Sequence, residues 1–290
     1  MTVQDLKSLF VSVFMAAAVM MTVAAGQLLW QTQDYFSWGG VLLVSAPFVI
    51  VISWLMSFRN IARTSARFPT LILLGTAGVL LATWGYAQGG SPKAPLLAIV
   101  AWVGLVGYAF WYSSFNRQLS EHLQVGNTLP IFELKDLAGR TVSSTSLSIK
   151  PTIWIFYRGN WCPLCMAQIK ELVSRYRDIE ALGVRVALVS PQPHKYTIEL
   201  ATKMNAPFDF LTDEGCRAAN ALGIEQPCGL PMGMQVLGYD SDTVLPTVVI
   251  TDTGGRIVWA HETDNYRIRP EPDIYLEVLR EQGIVGQTSS

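Results

Sequence analysis

The chain has 290 residues, half of them hydrophobic and only 15% charged, with 21 Lys and Arg against 22 Asp and Glu. An average globular domain carries about 25% charged residues. This composition excludes a disordered chain, a collagen-like fibre and a disulfide-stapled mini-protein, and the net charge of −1 gives no basis for a general nucleic-acid binder.

The charges are unevenly spread. Residues 1–116 hold seven of the 43: Asp5, Lys7, Asp34, Arg59, Arg63, Arg67 and Lys93. Between them lie four uncharged stretches, 8–33, 35–58, 68–92 and 94–116. A helix rises about 1.5 Å per residue, so about 20 apolar residues cross a bilayer. The apolar runs Phe10–Gln27, Val41–Phe58, Leu71–Tyr86 and Pro95–Tyr112 therefore predict four membrane helices. A cleaved signal peptide is the alternative for the first, with Lys7 as its basic end and Ala24, Ala25 and Gly26 before a cleavage site. Its apolar run exceeds the usual 7–15 residues or so, and three more runs follow. Trp30, Tyr35, Phe36, Trp38, Trp111 and Tyr112 fall at predicted span ends, where aromatic side chains favour the headgroup layer. No Asp, Glu, Lys, Arg or His falls within the spans, which argues against an ion-coupled transporter and for an anchor in a lipid bilayer.

Four spans place Lys7, Arg59, Arg63, Arg67 and Arg117 on one side and Lys93 on the other. The positive-inside rule makes the five-charge side cytoplasmic. The expectation is a multi-pass inner-membrane protein with a 1–116 transmembrane domain and a cytoplasmic 117–290 domain.

Residues 116–125 are polar and read as a linker or a helix leaving the membrane. Beyond them, Thr152–Tyr157 is a short apolar run typical of a buried strand. A helical pattern follows through Met166, Ile169, Leu172, Val173, Tyr176 and Ile179. Then come a strand at Val184–Val189, a helix at Tyr196–Met204, a strand at Phe208–Leu211 and a short helix at Ala218–Leu222. Thr247–Ile250 and Arg256–Ala260 flank a Gly-Gly turn and read as a hairpin, and Pro272–Arg280 as a last helix. The fold expected is an α-helical transmembrane anchor plus an α/β domain with a central mixed sheet.

The sharp motif is Trp161-Cys162-Pro163-Leu164-Cys165, between a strand and a helix. Proline suits the first helical turn, so Cys162 falls at the helix N-terminus, where free N–H groups and the dipole favour a thiolate. Arg158 adds positive potential. Cys162 is expected to be the exposed attacking thiolate and Cys165 the buried resolving thiol. Half of a zinc site is the rival reading, but Cys216, Cys228, His122, His194 and His261 supply no second ligand pair of suitable spacing, so no metal is expected. Cys216 and Cys228 are either secondary redox thiols or small packing residues.

The stretch Phe156–Cys165 resembles the active site of peroxiredoxin-like proteins of the alkyl hydroperoxide reductase/thiol-specific antioxidant superfamily, within the thioredoxin fold. The resemblance covers about residues 125–282. It includes Val125–Phe132, Val189–Gln192, Phe208–Asp213 and Leu245-Pro246-Thr247. It implies a cis Pro246 beside Cys162, positioning substrate together with Trp161, Pro163 and Arg158. The chain departs from the superfamily pattern. Gly159 stands where a Thr or Ser is usual and Ile155 where a proline is usual, and Leu245 occupies the place of an arginine. These differences put efficient peroxidase activity in doubt. What the resemblance implies is a thioredoxin-like thiol oxidoreductase with no cofactor, an external thiol electron donor and a peroxide or protein disulfide as substrate. The alternatives are a disulfide reductase or electron relay, and a non-enzymatic redox sensor.

Overall fold

The computed structural model describes residues 2–284. The chain divides into two compact units, one of residues 1–59 and 64–114, the other of residues 60–63 and 115–290.

The first unit contains α1 (Val3–Thr32), α2 (Tyr35–Phe58), α3 (Pro69–Ala87) and α4 (Lys93–Val106), with α4 continuing as a π-helical turn to Tyr112. All four are long and apolar enough to cross a membrane. They pack through small residues. A Cβ on Gly40 of α2 would lie 2.6 Å from the Gly78 carbonyl of α3, and a Cβ on Gly78 would lie equally close to the Gly40 carbonyl. Ala25, Ala82, Ala94, Ala98 and Ala101 fill the same buried cluster around Trp38 and Val41. Small residues let helix backbones approach where packing, rather than water exclusion, must hold helices together. Lys7 donates to the Ser114 carbonyl at 2.6 Å, which brings the start of α1 to the end of the fourth helical segment. Large apolar side chains such as Met20, Leu73 and Leu80 remain exposed on the outside.

The second unit is built on a seven-stranded sheet. Its strands are β1 (Glu133–Lys135), β2 (Thr141–Ser143), β3 (Thr152–Phe156), β4 (Arg185–Ser190), β5 (Asp209–Thr212), β8 (Thr247–Thr251) and β9 (Ile257–Glu262), in the order β2-β1-β5-β4-β3-β8-β9. A separate two-residue pair, β6 (Glu225–Gln226) with β7 (Thr243–Val244), closes the base of a long loop. Strands β3, β4 and β5 are parallel; β8, β9, β1 and β2 join antiparallel. The helices are α5 (Ser144–Leu147), α6 (Pro163–Ser174), α7 (Tyr176–Ala181), α8 (His194–Met204), α9 (Arg217–Ala221) and α10 (Pro272–Glu281).

Every residue of β3 is buried, as a central strand covered on both faces requires. One core layer joins Trp154, Phe156, Val189, Leu211 and Val249 to Phe132, Leu222 and Ile224. The single helical run expected after Cys162 is two helices, because Arg175 breaks the period between α6 and α7. Residues 116–120 are neither a free linker nor a helix. Arg117 forms a buried ion pair with Glu262 of β9, and the Ser120 hydroxyl donates to the Leu222 carbonyl, so this segment is strapped onto the sheet.

Candidate functional site

Strand β3 ends at Phe156, and the loop 157–162 turns at the carboxyl end of the parallel strands, the edge where open α/β sheets place their ligands. Tyr157 is fully buried, and its N–H donates to the Val189 carbonyl of β4. Gly159 then takes φ +145°, and a Cβ there would stand 2.6 Å from the indole nitrogen of Trp161. The Thr or Ser usual at this place would be strained in backbone and blocked by the ring. Gln192 supports the turn: its Oε1 accepts from the Asn160 N–H at 2.7 Å, while its Nε2 donates to the hydroxyls of Tyr157 and Thr197.

Cys162 caps α6, with Pro163 in the first turn, and its Sγ accepts from the Cys165 N–H at 3.4 Å. Both cysteines are reduced and buried, at 2% and 0% exposure. The expectation of an exposed Cys162 is thus corrected, because the loop and its neighbours close over both sulfurs. The expected charge distribution is also corrected. Burial and the neighbouring Cys165 sulfur push the Cys162 thiol well up, against the pull of Arg269 and Arg158. Burial raises Cys165 too, but contact with the Cys162 thiol and the charge of Arg269 overcome it and bring Cys165 down to about 6. Two thiols in contact titrate as a pair. One proton leaves readily and the other is held, with the charge resting on the Cys165 side.

The cation beside both sulfurs is Arg269. Its Nη2 lies 3.4 Å from the Cys165 Sγ and 4.0 Å from that of Cys162, and its Nη1 donates to the Gln168 side chain at 2.9 Å. The guanidinium is buried, and burial alone would disfavour its charge; the two sulfurs outweigh this and strengthen its hold on the proton. Among the described residues no carboxylate pairs with this guanidinium, so a thiolate is its counter-ion. Sequence reasoning missed this residue. It sought an arginine at the Leu245 position, whereas Arg269 arrives from the segment just before α10, 104 positions after Cys165. The only local sign was the Arg-x-Arg-Pro run of residues 267–270, which has no periodicity to read.

Arg158 is where expected, and it is counted among the cations acting on both sulfurs. Its guanidinium sits 4.8 Å over the Trp161 ring and donates to the Gly229 carbonyl. Pro246 departs from expectation. No peptide bond among the described residues is cis, so the Leu245–Pro246 bond is trans, and its carbonyl accepts from Arg117. Cys216 lies in the main core, away from the pair, and burial with nearby acids, Asp213 first, pushes it up to about 12. Cys228 is half-buried in the loop closed by β6 and β7, next to the Gly229 that Arg158 holds.

Residues 125–260 match the AhpC/TSA family profile. Peroxiredoxin Q of Sedum lineare is 31% identical over 99 residues, 34% of this chain and 53% of that protein. Thiol-disulfide oxidoreductase ResA of Bacillus thuringiensis is 23% identical over 155 residues, 53% of this chain and 78% of that protein. The crystal structure of Peroxidoxin BcpB from Mycobacterium tuberculosis covers 55% of this chain and 98% of its own, at 19% identity and a TM-score of 0.47. The chain spans about half the length of the peroxiredoxin Q relatives it matches. The second unit thus carries a peroxiredoxin-like domain of the thioredoxin fold, similar over residues 125–260 to the AhpC/TSA family.

Proposed function

We propose that this chain is a membrane-anchored thiol oxidoreductase in which Cys162 and Cys165 cycle between dithiol and disulfide to reduce a peroxide or a disulfide. The observation that carries this reading is the buried pair at the start of α6 with Arg269 beside both sulfurs. Kinship with peroxiredoxin Q and ResA supports it.

Cys162 attacks, because it is the cap of α6 and its sulfur already receives a backbone N–H. At rest the charge lies on Cys165; as Cys162 attacks, its proton passes to the Cys165 thiolate in contact with it, and Arg269 and Arg158 then face the charge on Cys162. With a peroxide, the Cys162 thiolate takes the outer oxygen. The O–O bond breaks, Cys162 becomes a sulfenic acid, and the alkoxide leaves as the alcohol after taking a proton from solvent. Cys165 then attacks the Cys162 sulfur, and hydroxide leaves with the Cys165 proton as water. With a disulfide, the thiolate displaces one sulfur, and Cys165 releases the mixed disulfide. Either route ends in the Cys162–Cys165 disulfide, which an external thiol donor resets. No organic cofactor is required. A reagent as small as a peroxide suits sulfurs this enclosed.

The four apolar helices anchor the domain in a bilayer, multi-pass in the inner membrane. The 117–290 domain lies on the cytoplasmic side with Lys7, Arg59, Arg63, Arg67 and Arg117. Trapping with a sulfenic-acid reagent tests the roles. Peroxide-treated Cys165→Ser should carry one adduct at Cys162 and Cys162→Ser none; the reverse pattern would exchange the two roles.

A further inference from the structure

The redox unit is discontinuous in sequence. Residues 60–63, between two apolar helices in the chain, cluster with residues 115–290. Within that unit Arg63 reaches three points. Its Nε donates to the main-chain carbonyl of Arg269 at 3.2 Å. Its Nη2 pairs with Glu171 at 2.5 Å, and its Nη1 lies 3.3 Å from Glu271. Glu171 is on α6, the helix that begins at the cysteine pair, one turn beyond the Gln168 that holds the Arg269 guanidinium. Glu271 is the residue at which α10 begins, and Tyr275 of α10 accepts from the same Gln168 at 3.0 Å. A single guanidinium thus ties together the backbone of Arg269, the cysteine-bearing helix and the helix that completes the Gln168 contact.

The carboxylates involved are partly exposed, and ion pairs of that kind add little to stability. What a planar fork with five donors supplies is geometry. The fixed geometry is that of the guanidinium facing Cys165.

We propose that Arg63 is a positioning residue for the redox pair: it holds Arg269 against Cys165 and so governs the reactivity of the thiols. Residues 60–63 are then a working part of the redox unit, and a chain beginning at residue 115 would lack one of that unit's working residues. The inference rests on the thiol-redox reading only in treating the pair as reactive. Its test therefore follows thiol ionisation, not turnover.

The measurement is the pH dependence of iodoacetamide alkylation in the reduced full-length chain, with Cys162 and Cys165 resolved by peptide mass spectrometry. Arg63→Ala should move the midpoint for the pair up by about half a pH unit, a roughly threefold slower reaction below the midpoint. Arg63→Lys, which keeps the charge and loses the fork, should fall between the two. Arg67→Ala, an exposed arginine of the same inter-helix segment, should match the wild type. Thermal unfolding of each variant separates a shifted profile from a lost fold. The proposal is overturned if folded Arg63→Ala superimposes on the wild type, or if Arg67→Ala shifts as far. A chain that turns over neither peroxide nor disulfide yet keeps an Arg63-dependent profile would sink the enzyme reading and leave this one standing.

Discussion

The cysteine pair depends on a charge balance that only burial makes strong. Arg269 stays protonated at any ordinary pH, so its removal acts on the sulfurs beside it. Contact with the Cys162 thiol, and then the Arg269 charge, bring Cys165 down to about 6, and the pair therefore carries a thiolate above that pH and loses it below. Arg269→Gln should move the onset of reactivity upward toward the ordinary thiol range, near 8.5. At pH 7 the alkylation rate should fall about tenfold, since a group titrating near 8 is about one-tenth ionised there. An unchanged pH profile would mean that Arg269 does not stabilise the thiolate. Gly159 shows the same dependence on local geometry. Gly159→Ser would restore the hydroxyl usual in the superfamily, yet the left-handed φ and the Trp161 ring leave it no room. We expect a loss of about 1–3 kcal/mol in stability and slower oxidation, read by denaturant unfolding and stopped-flow fluorescence. Faster oxidation in that variant would show that the loop relaxes to accept a side chain. Cys216 differs from the pair, since burial and nearby acids, Asp213 first, push its thiol up to about 12. Replacing Cys228 with Ser should leave two thiols oxidised per chain by excess peroxide, counted with a thiol reagent.

At the scale of elements, legibility followed periodicity. The four apolar runs, the β3–α6 junction and the β8–β9 hairpin each carry a local pattern, and each forms near its expected bounds. The strands β1, β2, β6 and β7 have two or three residues each, too few for an alternating pattern, and only tertiary pairing makes them strands. The site divides in the same way. Cys162, Pro163 and Cys165 were legible because helix-cap chemistry is local, whereas Arg269 and Arg63 come from 104 residues downstream and 99 residues upstream of the pair. The burial of Cys162 was illegible for the same reason, since it is a property of what packs on the loop. In the helical unit the Gly40–Gly78 approach makes a separate prediction. Gly78→Val should force α2 and α3 apart at a cost of about 1–3 kcal/mol, seen as a lower unfolding temperature in detergent. A neutral result would mean that these helices do not need that contact.

The whole molecule joins a charge-poor helical unit to an α/β unit of ordinary composition. If the basic segments set its orientation, Cys228, the one half-exposed thiol, should react with an impermeant maleimide only after the membrane is opened. Labelling in intact cells would reverse the topology. The central claim is that the Cys162–Cys165 pair performs thiol redox chemistry, and stopped-flow oxidation of the reduced full-length chain tests it most directly. Hydrogen peroxide or a small disulfide should oxidise the pair at least about a hundredfold faster than free cysteine at pH 7, with the rate falling below pH 6 and lost in Cys162→Ser. Oxidation by both reagents at the rate of free cysteine, or a fast phase that survives in Cys162→Ser, would contradict it.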